Sequence, residues 1–141
     1  PKRDWSSDVC SSDLFRTLDG QTHHLRDYKG RTVFLNCWAT WCGPCVAEMP
    51  SIDEARKQLD STKIVFIAIA EESEDVLRSF IQRNDYGLTF GMPVRSFKEL
   101  GVNAYPTTYI IDKKGHVAFS EIGGADWSDA ARLAQIRQIM E

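Results

Sequence analysis

The sequence predicts an α/β fold: a central mixed sheet, helices on both faces and a β-hairpin at the N-terminal end. Three observations carry this. Ile64 to Ala70 is the longest apolar run, with the partly β-branched composition of a parallel strand buried on both faces. Segments with helical spacing alternate with strands, in the order β-α-β-α-β-β-α after the hairpin. Thr107–Asp112 and His116–Ile122, joined across Lys113-Lys114-Gly115, read as an antiparallel hairpin at one sheet edge.

Each element has a local signal. Asp19-Gly20 separates Phe15–Leu18 from Gln21–Leu25, which gives the weak N-terminal hairpin. Lys29-Gly30 breaks the chain before a strong strand, Thr32–Trp38. A helix is expected from near Cys42 to about Leu59, bent where Pro50 removes a backbone donor. Ser73 suits an N-cap, and Glu74 and Asp75 complement the dipole of the helix it opens. Val76, Leu77, Phe80 and Ile81 give that helix one apolar face, ending near Asn84. Leu88–Val94 reads as a short strand or extended loop, and Ser96–Leu100 as a helical turn or two. From Trp127 onward, Leu133, Ile136 and Met140 mark the buried stripe of a terminal helix.

The 141 residues fit one domain with a real core. With 43% hydrophobic and 26% charged residues the composition is that of an ordinary soluble globular protein. A net charge of −3 without a long basic block leaves no footprint for nucleic acid or for anionic membranes. No stretch approaches the roughly 20 apolar residues that span a bilayer. Asp4-Trp-Ser-Ser-Asp-Val-Cys-Ser-Ser-Asp-Leu14 resembles a translated sequencing-library adapter. Residues 1–14 are therefore expected to be a non-native, disordered segment, and 15–141 the domain. A signal peptide or membrane anchor would have preceded Phe15.

Cys10 falls in that segment, which leaves Cys37, Cys42 and Cys45. One close pair with one lone thiol suggests a working dithiol rather than a disulfide scaffold. The junction between a buried strand and a helix places Cys42 where free N–H groups and the dipole favour negative charge. Such a setting lowers a thiol pKa from about 8.5 to roughly 3.5–7.5, yielding the nucleophilic thiolate. Cys45, three residues on, is close enough to attack a mixed disulfide formed at Cys42. Pro44 suits the first helical turn. The alternative of a half zinc site needs two more ligands, and no second C-x-x-C or H-x₃₋₅-H exists. His23-His24, adjacent on a strand, point to opposite faces. No metal is expected. On a buried strand Cys37 reads as an inert small hydrophobe. Trp38 reads as core, and Trp41 as part of the rim that partners touch.

Leu35-Asn-Cys-Trp-Ala-Thr-Trp-Cys-Gly-Pro-Cys-Val-Ala-Glu-Met-Pro50 resembles the active-site segment of the TlpA/ResA-like thiol–disulfide oxidoreductases, a branch of the thioredoxin superfamily. The likeness continues through Gly101-Val-Asn-Ala-Tyr-Pro-Thr-Thr-Tyr-Ile-Ile-Asp112. It implies a thioredoxin-like fold. It also implies that Pro106 is the cis-proline lying against the active-site disulfide, leaving nearby backbone to pair with a substrate strand. Trp41, Gly43, Pro44, Tyr105 and Pro106 are then the substrate-binding set. Glu48 matches an acidic residue one turn beyond the second cysteine, where it would pass protons to and from Cys45. Asn36 stands where ordinary thioredoxins carry a buried aspartate. An amide exchanges no protons near neutrality, so the weight falls on Glu48. Cys37 departs from the phenylalanine usual in the family.

The expected function is a reductase of protein disulfides. Its only redox group is the Cys42–Cys45 pair, and an upstream dithiol donor returns the electrons. Gly43-Pro44 is shared with thioredoxins, whose potential lies at about −270 mV, against about −120 mV for a strong oxidant. Family members are often exported and anchored, supplying reductant to apocytochrome c or other extracytoplasmic cysteines. A periplasmic or other extracytoplasmic place is therefore expected, with the cytoplasm as the alternative, and the domain is expected to be a monomer. Two other functions stay open. A thiol peroxidase would need a Pro-x₃-Thr-x₂-Cys setting that is absent around Cys42. A copper metallochaperone or docking module on the same fold typically uses C-x₃-C with a distant histidine.

Overall fold

A computed structural model describes residues 14–141. The segment expected to be non-native lies outside the described residues except for Leu14. That residue opens the first strand, β1 (Leu14–Thr17), which pairs antiparallel with β2 (Thr22–His24). A 3-10 turn, Leu25–Tyr28, follows in place of the last residue of the expected second strand. The remaining elements are β3 (Thr32–Trp38), α1 (Gly43–Gln58), β4 (Ile64–Ala70), α2 (Glu74–Arg83), β5 (Thr89–Pro93), β6 (Thr107–Ile111), β7 (Val117–Ile122) and α3 (Ala130–Met140).

Seven strands form one sheet in the order β2-β1-β5-β4-β3-β6-β7. β3, β4 and β5 run parallel, and β6, β7 and the N-terminal hairpin are antiparallel to their neighbours. The fold is thioredoxin-like, with a mixed sheet and an added strand pair at the N-terminal end. β3 sits between β4 and β6 with all seven residues buried. That explains its unbroken apolar character.

Alternation along the strands splits the core in two. Phe34 and Trp38 of β3 join Phe66, Ala68 and Ile110 on one face, beneath Met49 and Ile52 of α1, Leu77 and Phe80 of α2, and Leu133 and Ile136 of α3. Val33, Leu35 and Cys37 share the opposite face with Ile67, Ile69, Tyr109 and Ile111. That side is covered by Leu25 of the 3-10 turn and by Phe97, Leu100 and Val102. Ser96–Leu100 forms a single turn closed by Leu100 N–H to Ser96 O at 3.1 Å. Leu88–Val94 resolves into a true strand, β5, because β1 and β4 supply partners on its two edges. α1 continues through Pro50, and Ser73 caps α2 by accepting from Val76 N–H at 3.3 Å. Trp127 does not open the terminal helix. It lies two residues before the N-cap, Asp129, in the segment that returns from β7.

Candidate active site

Strand β3 ends at Trp38, and the chain turns through Ala39, Thr40 and Trp41 onto the N-terminus of α1. Glu72, just past β4, fixes that turn: its carboxylate accepts from Thr40 N–H at 2.8 Å and from the Thr40 hydroxyl at 2.6 Å. Cys42 is the N-cap, and its Sγ accepts from Cys45 N–H at 3.3 Å. Cys42 and Cys45 are joined as a disulfide, with Cα atoms 5.3 Å apart. The two sulfurs differ in access. Cys42 is 7% exposed and Cys45 0%, so a partner reaches the first before the second. Gly43 and Pro44 between them are exposed.

Trp41 is 72% exposed and meets Tyr105 edge-on, with ring centroids 5.7 Å apart. Tyr105 in turn touches Phe97 at 5.7 Å. Burial, the Glu71 carboxylate, Cys37 and Glu72 all push the Tyr105 phenol above its ordinary value, so it stays a neutral hydroxyl at physiological pH. The Tyr105–Pro106 peptide is cis. Pro106 is buried, and its carbonyl accepts from Gly123 N–H at 2.8 Å. The loop after β7 therefore braces the turn that presents the proline. The same loop approaches the cysteine segment, since a Cβ built on Gly124 would lie 3.2 Å from the Pro44 carbonyl oxygen.

Glu48 lies one turn beyond Cys45 on α1, on the same helix face. It is 3% exposed and fully engaged. Its Oε1 accepts from Asn36 Nδ2 at 2.9 Å, and its Oε2 from Ala125 N–H and Trp127 Nε1, both at 3.0 Å. Asn36 also donates to Thr108 Oγ1 at 3.0 Å, across the β3–β6 pair. Burial raises the Glu48 pKa above its ordinary value. The hydrogen bonds from Trp127, Asn36 and Ala125 oppose that rise, and the Glu121 carboxylate adds to it. A carboxyl held in this way exchanges protons nearer neutrality than a free glutamate does.

The structure thus brings Cys42, Cys45 and Glu48 onto one helix end, with Trp41, Gly43, Pro44, Tyr105 and Pro106 around them. Cys37 is buried on the opposite face of the sheet. Sequence reasoning missed Trp127 and Ala125 as partners of Glu48. Trp127 was legible only as an apolar residue near a helix, because its indole N–H reaches a residue 79 positions earlier. Among the described residues, no group of three or more His, Cys, Asp or Glu side chains is placed to hold a metal ion. No helix among them is long and apolar enough to cross a membrane.

The sequence profile of the AhpC/TSA family matches residues 8–120. The thioredoxin-like protein YneN of Bacillus subtilis is 41% identical over 118 residues, covering 77% of this chain and 66% of YneN. The thiol-disulfide oxidoreductase ResA of Bacillus thuringiensis is 37% identical over 111 residues, covering 75% of this chain and 63% of that protein. The chain thus spans just under two thirds of the length of these relatives. Among solved structures, the exposed lipoprotein thioredoxin Etrx1 of Streptococcus pneumoniae superposes with a TM-score of 0.73 at 31% identity, covering 89% of this chain and 97% of that one. The profile match, the relatives and the geometry agree: the chain belongs to the AhpC/TSA family, on its ResA-like, thioredoxin-fold branch.

Proposed function

We propose that this chain is the working domain of a thiol–disulfide oxidoreductase that reduces protein disulfides through Cys42 and Cys45. One observation carries the reading: a disulfide sits at the N-terminus of α1, where Cys42 keeps slight solvent access and Cys45 has none. In the reduced form, the Cys42 thiolate attacks one sulfur of a substrate disulfide. The substrate S–S bond breaks, and the departing thiolate takes a proton. Cys45 then loses its proton to Glu48, and its thiolate attacks Cys42 Sγ. The mixed disulfide breaks, the second substrate thiolate leaves, and two electrons have passed from the pair to the substrate. A dithiol donor returns them by the reverse exchange. The cycle asks for no cofactor beyond the cysteine pair.

Exposed Trp41 and half-buried Tyr105 supply an apolar rim for a polypeptide substrate, and the turn at Pro106 offers backbone beside it. An extracytoplasmic place is supported by the name of Etrx1, an exposed lipoprotein. Cys42→Ser should abolish reduction of insulin disulfides, whereas Cys45→Ser should accumulate a mixed disulfide visible by mass spectrometry. Insulin reduction surviving in Cys42→Ser would overturn the assignment of the attacking sulfur. Rapid peroxide consumption with no insulin reduction would favour a thiol peroxidase instead.

A further inference from the structure

The carboxylate of Glu48 is tied more tightly to the segment after β7 than to anything on its own helix. We propose that Trp127 is a positioning residue for disulfide exchange: its indole N–H, with Ala125 N–H, holds Oε2 of Glu48 so that Oε1 gains and loses the proton. This rests on the exchange reading above and assigns that reading a further residue.

The two carboxylate oxygens are not equivalent. Oε2 accepts two N–H donors, from Ala125 and Trp127 at 3.0 Å each, and Oε1 accepts one, from Asn36 at 2.9 Å. A proton on Oε2 would displace two buried donors, each costly to strand. On Oε1 it faces only Asn36, whose Oδ1 is buried without a hydrogen-bond partner. Turning the Asn36 amide gives up the two bonds that Nδ2 donates and presents Oδ1 instead to the Oε1 proton and to the Thr108 hydroxyl, which can donate to it. Asn36 thus has one orientation that donates to the carboxylate and another that accepts from the carboxylic acid. When Cys45 is deprotonated, its S–H bond breaks, an O–H bond forms at Oε1, and the electron pair stays on sulfur.

The indole is held for this task. Phe34 meets it edge-on at 5.0 Å and Phe119 at 6.4 Å. The Arg132 guanidinium lies 4.8 Å from the ring centroid, and a cation over the ring polarises the N–H toward its acceptor. The charged groups turned toward Glu48 are Glu121 of β7 and Arg132 of α3, which bind each other through two contacts of 3.0 Å. Glu121 adds to the rise in the Glu48 pKa, and its pairing with Arg132 sets an opposite charge beside it. β3 and β6 contribute the neutral Asn36 and Thr108, and α1 contributes Cys45. Asp126, in the same segment as Trp127, turns its carboxylate to Ser128. The N–H donors are therefore what distinguishes one oxygen from the other.

The test removes the donor while keeping the ring. Trp127 is replaced by phenylalanine and, by non-canonical incorporation, by 3-benzothienylalanine, in which sulfur stands for the indole N–H. The isostere keeps the core filled should Trp127→Phe fold poorly. The Glu48 carboxyl is titrated by carbon-13 NMR, and insulin-disulfide exchange is followed against pH in each protein and in Glu48→Gln. Loss of the donor should raise the Glu48 midpoint by about one pH unit. The exchange profile should move upward with it, a roughly tenfold loss on the acid side, and the shift should vanish in the Glu48→Gln background. An unmoved carbon titration in a protein that exchanges disulfides overturns the proposal alone, as does a moved titration with an unmoved rate profile. Absence of exchange in the unaltered protein overturns the exchange reading and, with it, the proposal.

Discussion

Cys42 and Cys45 are identical in chemistry and three residues apart, yet solvent reaches only one of them. The division of labour follows from that difference, because the attacking sulfur must meet a partner and the resolving sulfur must not. Glu48 belongs to the buried half of the pair. Its raised pKa, caused first by burial, has a consequence for stability. A carboxyl whose folded pKa lies above its unfolded one stabilises the fold most below the ordinary value of 4.5, and that contribution is lost as pH rises through the folded value. Glu48→Gln removes the titration. Its chemical-denaturation midpoint relative to the unaltered protein should therefore rise between pH 4.5 and neutrality; a constant difference across that range would mean that the carboxyl titrates normally. The same variant should slow disulfide exchange by about a hundredfold and flatten its pH dependence. An unchanged rate would reduce Glu48 to a structural acid.

At the scale of elements, α1 carries the chemistry but depends on its neighbours for its placement. Asp53, one turn and a half beyond Glu48, anchors the far side of the helix. It accepts from Arg56 Nε and from Gly87 N–H, both at 2.9 Å, which ties α1 to the segment between α2 and β5. Burial would raise its pKa, but the Gly87 and Arg56 hydrogen bonds outweigh that and bring it below the ordinary value. Stability from this carboxylate is present above its unfolded pKa and is lost as pH falls through the folded one. Asp53→Ala should cost about 2 kcal/mol at neutral pH by denaturant unfolding, with the deficit shrinking in acid. An unfolding midpoint unchanged at neutral pH would show that the tie contributes nothing. α2 and its Ser73 cap were legible because the signals are local. The sequence showed β5 less clearly, since its strand character comes from β1 and β4, far away along the chain.

For the whole molecule, what could be read from sequence follows how far apart the interacting residues are. The cysteine pair, the helix that begins between them and the β6–β7 hairpin all announce themselves within a few residues. The placement of β1 beside β5 does not, because Phe15 pairs with Pro93 from a distant segment of the chain. Trp127 was missed for the same reason: its apolar character was visible and its partner was not. The sheet that results places β3 at its centre, buried along its length. Its amides, with those of β4 and β6, should exchange with deuterium slowest, and those of β2 fastest. Equal protection across the sheet would contradict this hierarchy.

The alternation of β3 has a last effect on how electrons move. Cys37 and the Cys42–Cys45 couple lie on opposite sides of the same sheet. The backbone layer of a single sheet, with β3 at its centre, stands between them. For Cys37 to exchange with the couple its side chain would have to cross to the other face of β3, so among the described residues the buried strand itself keeps the Cys42–Cys45 pairing from being scrambled.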